Sequence, residues 1–539
     1  VGVGERLCRG EARQMILVRS LRLEAGDSEE KLRKKAAREL HISERDICEL
    51  TITKKSLDAR KKNDIHWLYS VAVETRDEDK LLARAKSKNV CRFEEFCYYI
   101  PRLSAKKRPV IAGFGPAGMF AALVLAEAGL RPIVLERGQD AESRRKAVED
   151  FRAGGALDPE CNVQFGEGGA GTFSDGKLNT GIKDKRIRWM LGQFVRHGAP
   201  ENILYDAKPH IGTDILIRIV QRIRETVLKL GGEVRFGAKL TGLVMDKNKL
   251  CGVEVTEAGE TYTLDCNRLI LAIGHSARDT FEMLECMGVP MEPKPFSMGV
   301  RIEHRQSDID MAQYGAERDG FPPADYSLNV HLPDGTSAYT FCMCPGGEVI
   351  AAASEEGGIC TNGMSYSDRG GENANSALLV TLHPEDFPYG GALGGMYWQR
   401  EIERRAFAMS GDYRACAQTV GDFLSQEAGE DSEKVTPSYR PGVNWCELHE
   451  LLPERITSVL EAALPELGKK LRGFDDPEAV LTAPETRSSS PVRILRSERR
   501  MSELRGLYPC GEGAGYAGGI TSAAVDGMKC AEALMESLQ

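Results

Sequence analysis

The stretch that most restricts how this chain can fold is PVIAGFGPAGMFAALVLAEAGLRPIVLERG, residues 109–138. An apolar run from Val110 to Gly113 enters a turn with glycines at 113, 115 and 118. A helical segment runs from Pro116 to about Ala128, and a second apolar run, Pro132 to Leu135, ends on Glu136. This order fits a strand, a tight turn, a helix packed back on the strand, and a second parallel strand. Gly113 permits the turn, Gly115 lets the backbone approach a pyrophosphate, and Gly118 lets the helix lie close to the strand. Pro116 suits the first helical turn, where its missing N–H would be unpaired anyway. The free amides and positive helix end then face a phosphate. Glu136, about 20 residues on, is placed to accept hydrogen bonds from both ribose hydroxyls, and it would repel a 2′-phosphate, which disfavours NADP. The run Pro109 to Ala126 is uncharged, but its glycines and Pro116 divide it into a strand and a helix, so no membrane span is expected.

The same G-x-G-x-x-G spacing occurs twice more. GEGGAG (Gly166, Gly168, Gly171) leads into TFSDGKLNTG, which has turn residues and no helical period, so no second βαβ unit opens there. Its glycines still expose amides to a ligand. GEGAGYAGG (Gly513, Gly515, Gly518) lies between the strand-like GLYPC and the helical ITSAAVDGMKCAEALMESL, with no further strand before Gln539. One full dinucleotide fingerprint therefore remains, and a separate NAD(P)H domain is not indicated.

A chain of 539 residues exceeds one ordinary core. Residues 1–14 precede the first methionine, Met15, show no apolar signal segment, and read as an extension. Residues 15–100 read as a small α/β domain: MILVRSLRL, CELTITK and IHWLYSVAVE are strand-like, with Ile65, Trp67, Tyr69, Val71 and Val73 alternating. SEEKLRKKAAREL between the first two has Ser28 as N-cap and Leu32, Ala36 and Leu40 on one helical face, and DEDKLLARAKSK predicts a second helix. Residues 101–108 read as a linker, 109–290 as the first part of the dinucleotide domain, 291–440 as an inserted sheet-rich domain, and 441–539 as the second part.

The net charge is -9, which argues against a dedicated nucleic-acid binder. From Met15 to Arg108, however, 23 Lys plus Arg stand against 16 Asp plus Glu, a local balance of +7. A solvated face is the plain reading, and an acidic partner or RNA the alternative. Fifteen cysteines without a CxxC pair point to neither a disulfide framework nor a metal site, and to a reducing, cytoplasmic setting. Cys342 and Cys344 in FCMCPGG have the spacing that puts both thiols on one face of a strand.

GFGPAG followed by LERG resembles the FAD-binding start of the two-dinucleotide-fold flavoproteins. CNVQFGEGGAGTFSDGKLNTG, LILAIGHSARD, FCMCPGGEVIAAASEEGG, GMSYSDRGGENANSALLV, ETRSSSPVRI and LYPCGEGAGYAGGITSAAVDG extend the likeness to the bacterial proteins called FAD-dependent or NAD(FAD)-utilizing dehydrogenases. The resemblance implies an α/β, Rossmann-like FAD-binding domain with an inserted sheet-rich substrate (cap) domain, beside the small N-terminal α/β domain. It implies that FAD is held by Gly113, Gly115, Pro116, Ala117, Gly118, Glu136 and Arg137. Gly169, Ala170, Gly171 and Thr172 would run beside the pyrophosphate, and Gly274 would close a strand near the cofactor. Gly511 and Glu512 would meet the ribityl region, with Gly518, Gly519 and Ile520 bringing a helix N-terminus to the flavin.

The expected function is an FAD-dependent oxidoreductase passing a hydride between flavin and a small organic substrate. NAD(P)H stays open as a transient reductant, and a redox-sensing, RNA-modifying or partner-binding flavoprotein is the alternative. Ser174, Lys177, Arg487 and Arg493 are the substrate candidates, the arginines because a guanidinium suits a carboxylate or phosphate. His275 at its strand end reads as structural. The proton donor is left open among Glu355, His275 and a bound water, and no metal is expected.

Overall fold

The computed structural model describes residues 14–85, 87–316 and 320–539, so all but one residue of the expected extension 1–14 lies outside the described residues. The chain divides into two compact units. The first gathers the described residues of 14–99, 177–211 and 310–324, and the second 100–176, 212–309 and 325–539.

In the first unit, β1 (Gln14–Glu24), α1 (Lys31–Leu40), β2 (Glu49–Asp58), β3 (His66–Glu74), α2 (Glu78–Arg84) and β4 (Val90–Glu94) form a βαββαβ module. Its antiparallel sheet has the order β2-β3-β1-β4, the ferredoxin-like arrangement. Leu32, Ala36 and Leu40 do line one buried face of α1, against Ile16, Val18, Tyr69, Val71 and Val73. Ser28 is not the cap. Glu30 is, without a side-chain bond, while Ser28, two residues before that cap, accepts from Glu30 N through its Oγ. The segment 177–211 adds to this sheet: Lys55 N donates to Tyr205 O at 2.7 Å, Ala207 N donates to Lys55 O at 2.8 Å, and the Tyr98 ring packs on Trp189.

The second unit begins with residues expected to be a linker. Leu103 N donates to Ala128 O at 2.8 Å, and Arg108 pairs with Glu233, so 101–108 is bonded to the nucleotide-type domain. Then follow β5 (Val110–Ala112), α3 (Pro116–Glu127), β6 (Ile133–Glu136), α4 (Ala141–Arg152), α5 (Thr213–Lys229) and β7 (Glu233–Phe236). An antiparallel meander, β8 (Ala238–Asp246), β9 (Lys249–Glu257) and β10 (Glu260–Asp265), leads to β11 (Leu269–Leu271) and α6 (Arg278–Cys286).

The cap comprises β12 (Met291–Pro293), β13 (Phe296–Arg305), β14 (Asn329–His331), β15 (Ser337–Cys344), β16 (Glu348–Ala351), β17 (Thr361–Met364), β18 (Asn373–Leu382), α7 (Gly394–Ser410), β19 (Ala415–Thr419), β20 (Val443–Trp445) and β21 (Val480–Glu485). The chain closes with β22 (Val492–Ile494), β23 (Leu507–Pro509) and α8 (Ile520–Glu536).

The parallel sheet has the order β23-β11-β5-β6-β7. Numbered within the domain this is 5-4-1-2-3, the Rossmann order, with the direction of winding reversing between β5 and β11. Ligands of such sheets lie beyond the strand C-termini at that reversal. α3 is buried on every side from Ala117 to Ala126, which explains its unbroken apolar sequence without a membrane. Among the described residues no helix is long and apolar enough to cross one.

The cap sheet has the order β14-β15-β18-β13-β21-β19-β20. Two of its strands, β20 and β21, come from beyond residue 440, within the stretch read as the second part of the nucleotide domain. Their short apolar runs carry nothing that tells a cap strand from a Rossmann strand. At its heart Arg301 on β13, fully buried, makes two 3.0 Å bonds to Glu485 on β21. The CxC reading is altered by a bulge. The β15–β18 register slips between Phe341 and Cys344, and Cys342 adopts φ +42°, so strand alternation fails between the two thiols.

Candidate functional site

The three glycine motifs, far apart in sequence, meet at the C-terminal ends of β5, β11 and β23. Gly113 (φ +96°) would place a Cβ 2.3 Å from Ala272 O, just beyond β11, and a Cβ on Gly118 would fall 1.9 Å from Gly113 O. These two glycines are required by packing, as the sequence implies. Gly169 lies against Gly115, with its Cβ position 2.8 Å from Gly115 Cα, and that of Gly171 is 2.9 Å from Ile520 Cγ1. The position on Gly513 is 2.2 Å from Gly274 O, and that on Gly511 is 2.8 Å from Ala117 Cβ.

Glu136 ties these turns together. Buried at the end of β6, its carboxylate accepts from Phe114 N (2.8 Å), Gly138 N (3.0 Å) and Gly166 N (2.9 Å). A carboxylate offers about four acceptor sites, so about one is left for a ribose hydroxyl. Arg137 beside it is paired with Glu160 and Asp279 and lies over the Phe165 ring.

Sequence reasoning missed the residue that shapes the second motif. Arg144 on α4, fully buried, donates to the backbone carbonyls of Asn162, Val163, Glu167 and Gly169 at 2.8–2.9 Å, with a longer contact to Gly166 O. Its guanidinium lies 4.7 Å from the Phe173 ring centre. Burial without a paired carboxylate pushes its pKa down to about 10. The loop is thus wrapped around a cation, and it continues as a short 3-10 turn, Ala170–Phe173, rather than an α-helix. Thr172 is buried there, and Ser174 Oγ donates to Gly171 O and accepts from Gly176 N, closing the turn.

At the third motif, Gly511 N donates to Asp526 on α8, whose carboxylate also takes Arg496 and Arg500. Cys510 and Cys530 lie beside Asp526, but the arginines occupy the carboxylate where a metal cation would need it. The half-buried Glu512 carboxyl accepts from Gly519 N at 3.4 Å. Burial pushes it up to about 7, only partly opposed by the Gly519 amide and the Lys294 ammonium, while Cys342 adds to the rise. Lys294 in turn is lowered by burial and by Arg493. The cap residues Lys294 and Cys342 therefore face the third glycine motif electrostatically, and nothing in the sequence linked them to it. A left-handed φ at a non-glycine residue such as Cys342 is a form of strain that concentrates at functional positions.

The remaining candidates fare differently. Arg487 is buried and bonded to Glu403, which also takes Arg278 and the Thr486 hydroxyl. Glu355, despite its burial, is held below the usual carboxylate range by Arg400 and Arg278. Burial, then the Arg487 and Arg278 cations, push His275 down to about 3, so its imidazole is neutral near pH 7. Arg493 is half-exposed and makes a 3.4 Å contact to Glu292. Lys177 falls in the first unit, where it bridges to His210.

Whether the site fits a dinucleotide is testable on its glycines. Gly115 has an ordinary negative φ and only Gly169 Cα near its Cβ position, at 3.6 Å, and Gly518 has nothing within 4 Å. Neither backbone conformation nor packing within the chain demands glycine at these two places, whereas a ligand lying against the backbone would. The N-cap residues of α3 and α8 make no side-chain cap bond, so the positive ends of both helices would meet it. The residues present fit FAD.

Residues 295–488 match the family model described as FAD-dependent protein, C-terminal domain-like, and residues 15–74 match a domain of unknown function (DUF8436). Digeranylgeranylglycerophospholipid reductase 1 of Methanococcoides burtonii is 25% identical over 220 residues, 38% of this chain and 45% of that protein. Among solved structures, the flavin-dependent brominase Bmp2 covers 81% of this chain and 80% of its own, with 14% identity and a TM-score of 0.37. An uncharacterized protein of Clostridium beijerinckii is 47% identical over 530 residues, 97% of this chain and 98% of the relative. By that likeness the chain belongs to one family with the Clostridium protein.

Proposed function

We propose that the protein is an FAD-dependent oxidoreductase in which a hydride passes between flavin N5 and a small organic substrate, with NADH or NADPH as a transient reductant. The observation that carries this reading is the pair Gly115 and Gly518, glycines that the chain needs only if something else approaches its backbone. Bound FAD supplies the two-electron chemistry. The chain supplies position and charge. The uncapped end of α3 would face the pyrophosphate, and Arg144 and Glu136 hold the second glycine loop beside that end. The N-terminal end of α8 would bring its positive end toward bound flavin, where it would favour negative charge on the ring.

On the cap side, Lys294 and Arg493, the latter held only by a 3.4 Å contact to exposed Glu292, would meet an anionic substrate group, since Arg487 is committed to Glu403. Neutral His275 does not serve as an imidazolium acid. The test is anaerobic titration of the FAD-loaded protein with each nucleotide. Bleaching of the absorbance near about 450 nm is expected. If neither bleaches it while RNA binds with steep salt dependence, the partner-binding alternative takes its place.

A further inference from the structure

A cavity of about 420 Å³ opens between α4 and α5, within the size range of small-molecule sites. Its inner wall is apolar: Val148, Phe173 and Met364 are buried members of one cluster, and Tyr366, 44% exposed, stands at its mouth. Three arginines and three acids line the rest, and their partners decide which charge is left over. Arg152 pairs with Glu348 outside the cavity. Asp214 spends its oxygens on Ser367 N and Oγ, and Glu149 sits 3.4 Å from Arg145. Glu142 lies in the first turn of α4, where the helix dipole already favours a negative charge. Arg218 on α5 makes no hydrogen bond or ion pair among the described residues, and of the three lining arginines it is the uncommitted cation.

We propose that this cavity is a second ligand site, separate from the glycine-motif site, that takes a small organic anion with an apolar body. The body would lie on Phe173 and Met364 and the anionic group would meet Arg218. Phe173 also carries the Arg144 guanidinium, so the occupant would sit one side chain away from the cation that shapes the second glycine loop.

The test uses the FAD-saturated protein and two fluorescent probes with the same aromatic body, anionic 8-anilinonaphthalene-1-sulfonate and uncharged N-phenyl-1-naphthylamine. The sulfonate is expected to bind at one equivalent and about tenfold more weakly in Arg218→Ala, with the neutral probe unaffected by the substitution. Added FAD should displace neither. Absence of binding, equal sensitivity of both probes to Arg218→Ala, or displacement by FAD would each overturn the proposal, the last by assigning the cavity to the cofactor.

Discussion

Gly115 and Gly118 sit three residues apart in one motif, yet the structure asks different things of them. A Cβ at Gly118 collides with Gly113 O, so Gly118→Ala should cost about 1–3 kcal/mol of unfolding free energy even without cofactor. A Cβ at Gly115 meets only ordinary contact, so Gly115→Val should leave the FAD-free protein within about 1 kcal/mol of wild type while abolishing FAD retention. Urea unfolding of stripped protein, together with the flavin content of purified protein, separates the two, and a yellow Gly115→Val at full stoichiometry would sink the assignment of the first motif. Glu512 makes a pH-dependent prediction. Its folded pKa is raised to about 7, so in FAD-free protein it contributes stability that is full below its unfolded value and lost as pH rises through about 7. Glu512→Gln should therefore raise the urea midpoint relative to wild type at pH 8 more than at pH 4.5. An equal difference at both pH values would contradict the shift. The glycine spacing was legible from sequence at both positions, but the distinction between packing glycine and ligand glycine was not, because it depends on which chain lies opposite.

At the level of elements, the loop 162–169 depends on a helix that no sequence motif marks out. Arg144 offers no motif, since a single arginine in AESRRKAVEDFR looks like its exposed neighbours Arg145 and Lys146. Its burial follows from α4 turning that face toward the loop. Arg144→Met would leave several buried carbonyls without donors, and each such group costs about 1–3 kcal/mol. The expected result is a loss of at least about 3 kcal/mol, with faster amide exchange in 162–169 and weakened FAD binding. Unchanged exchange there would show that the loop holds itself. The βαβ element at 110–136 lies on the other side of this divide. Every part of it, from Val110 to Glu136, was readable because strand, turn, helix and acid are local in sequence.

For the whole molecule, the compact units do not follow the order of the chain. Residues 177–211, read from sequence as part of the nucleotide domain, cluster with the N-terminal ferredoxin-like module, and β21 completes a cap sheet begun nearly two hundred residues earlier. Ala207→Pro tests the first of these by removing the amide that bonds Lys55 O. Exchange should quicken across residues 49–58, while β5 and β11 stay protected, and no change in β2 would detach the segment from that sheet. The sequence by itself determined the single complete dinucleotide turn, the layering of strand and helix around it, and the residue types a cofactor would touch. Those properties follow from periodicity, glycine conformation and spacing over some thirty residues. Only the tertiary structure decided that three glycine motifs form one site, that Arg487 is spent on Glu403, and that Lys294 and Cys342 face Glu512. Burial and charge pairing arise from contacts between segments hundreds of residues apart, and local pattern carries no record of them.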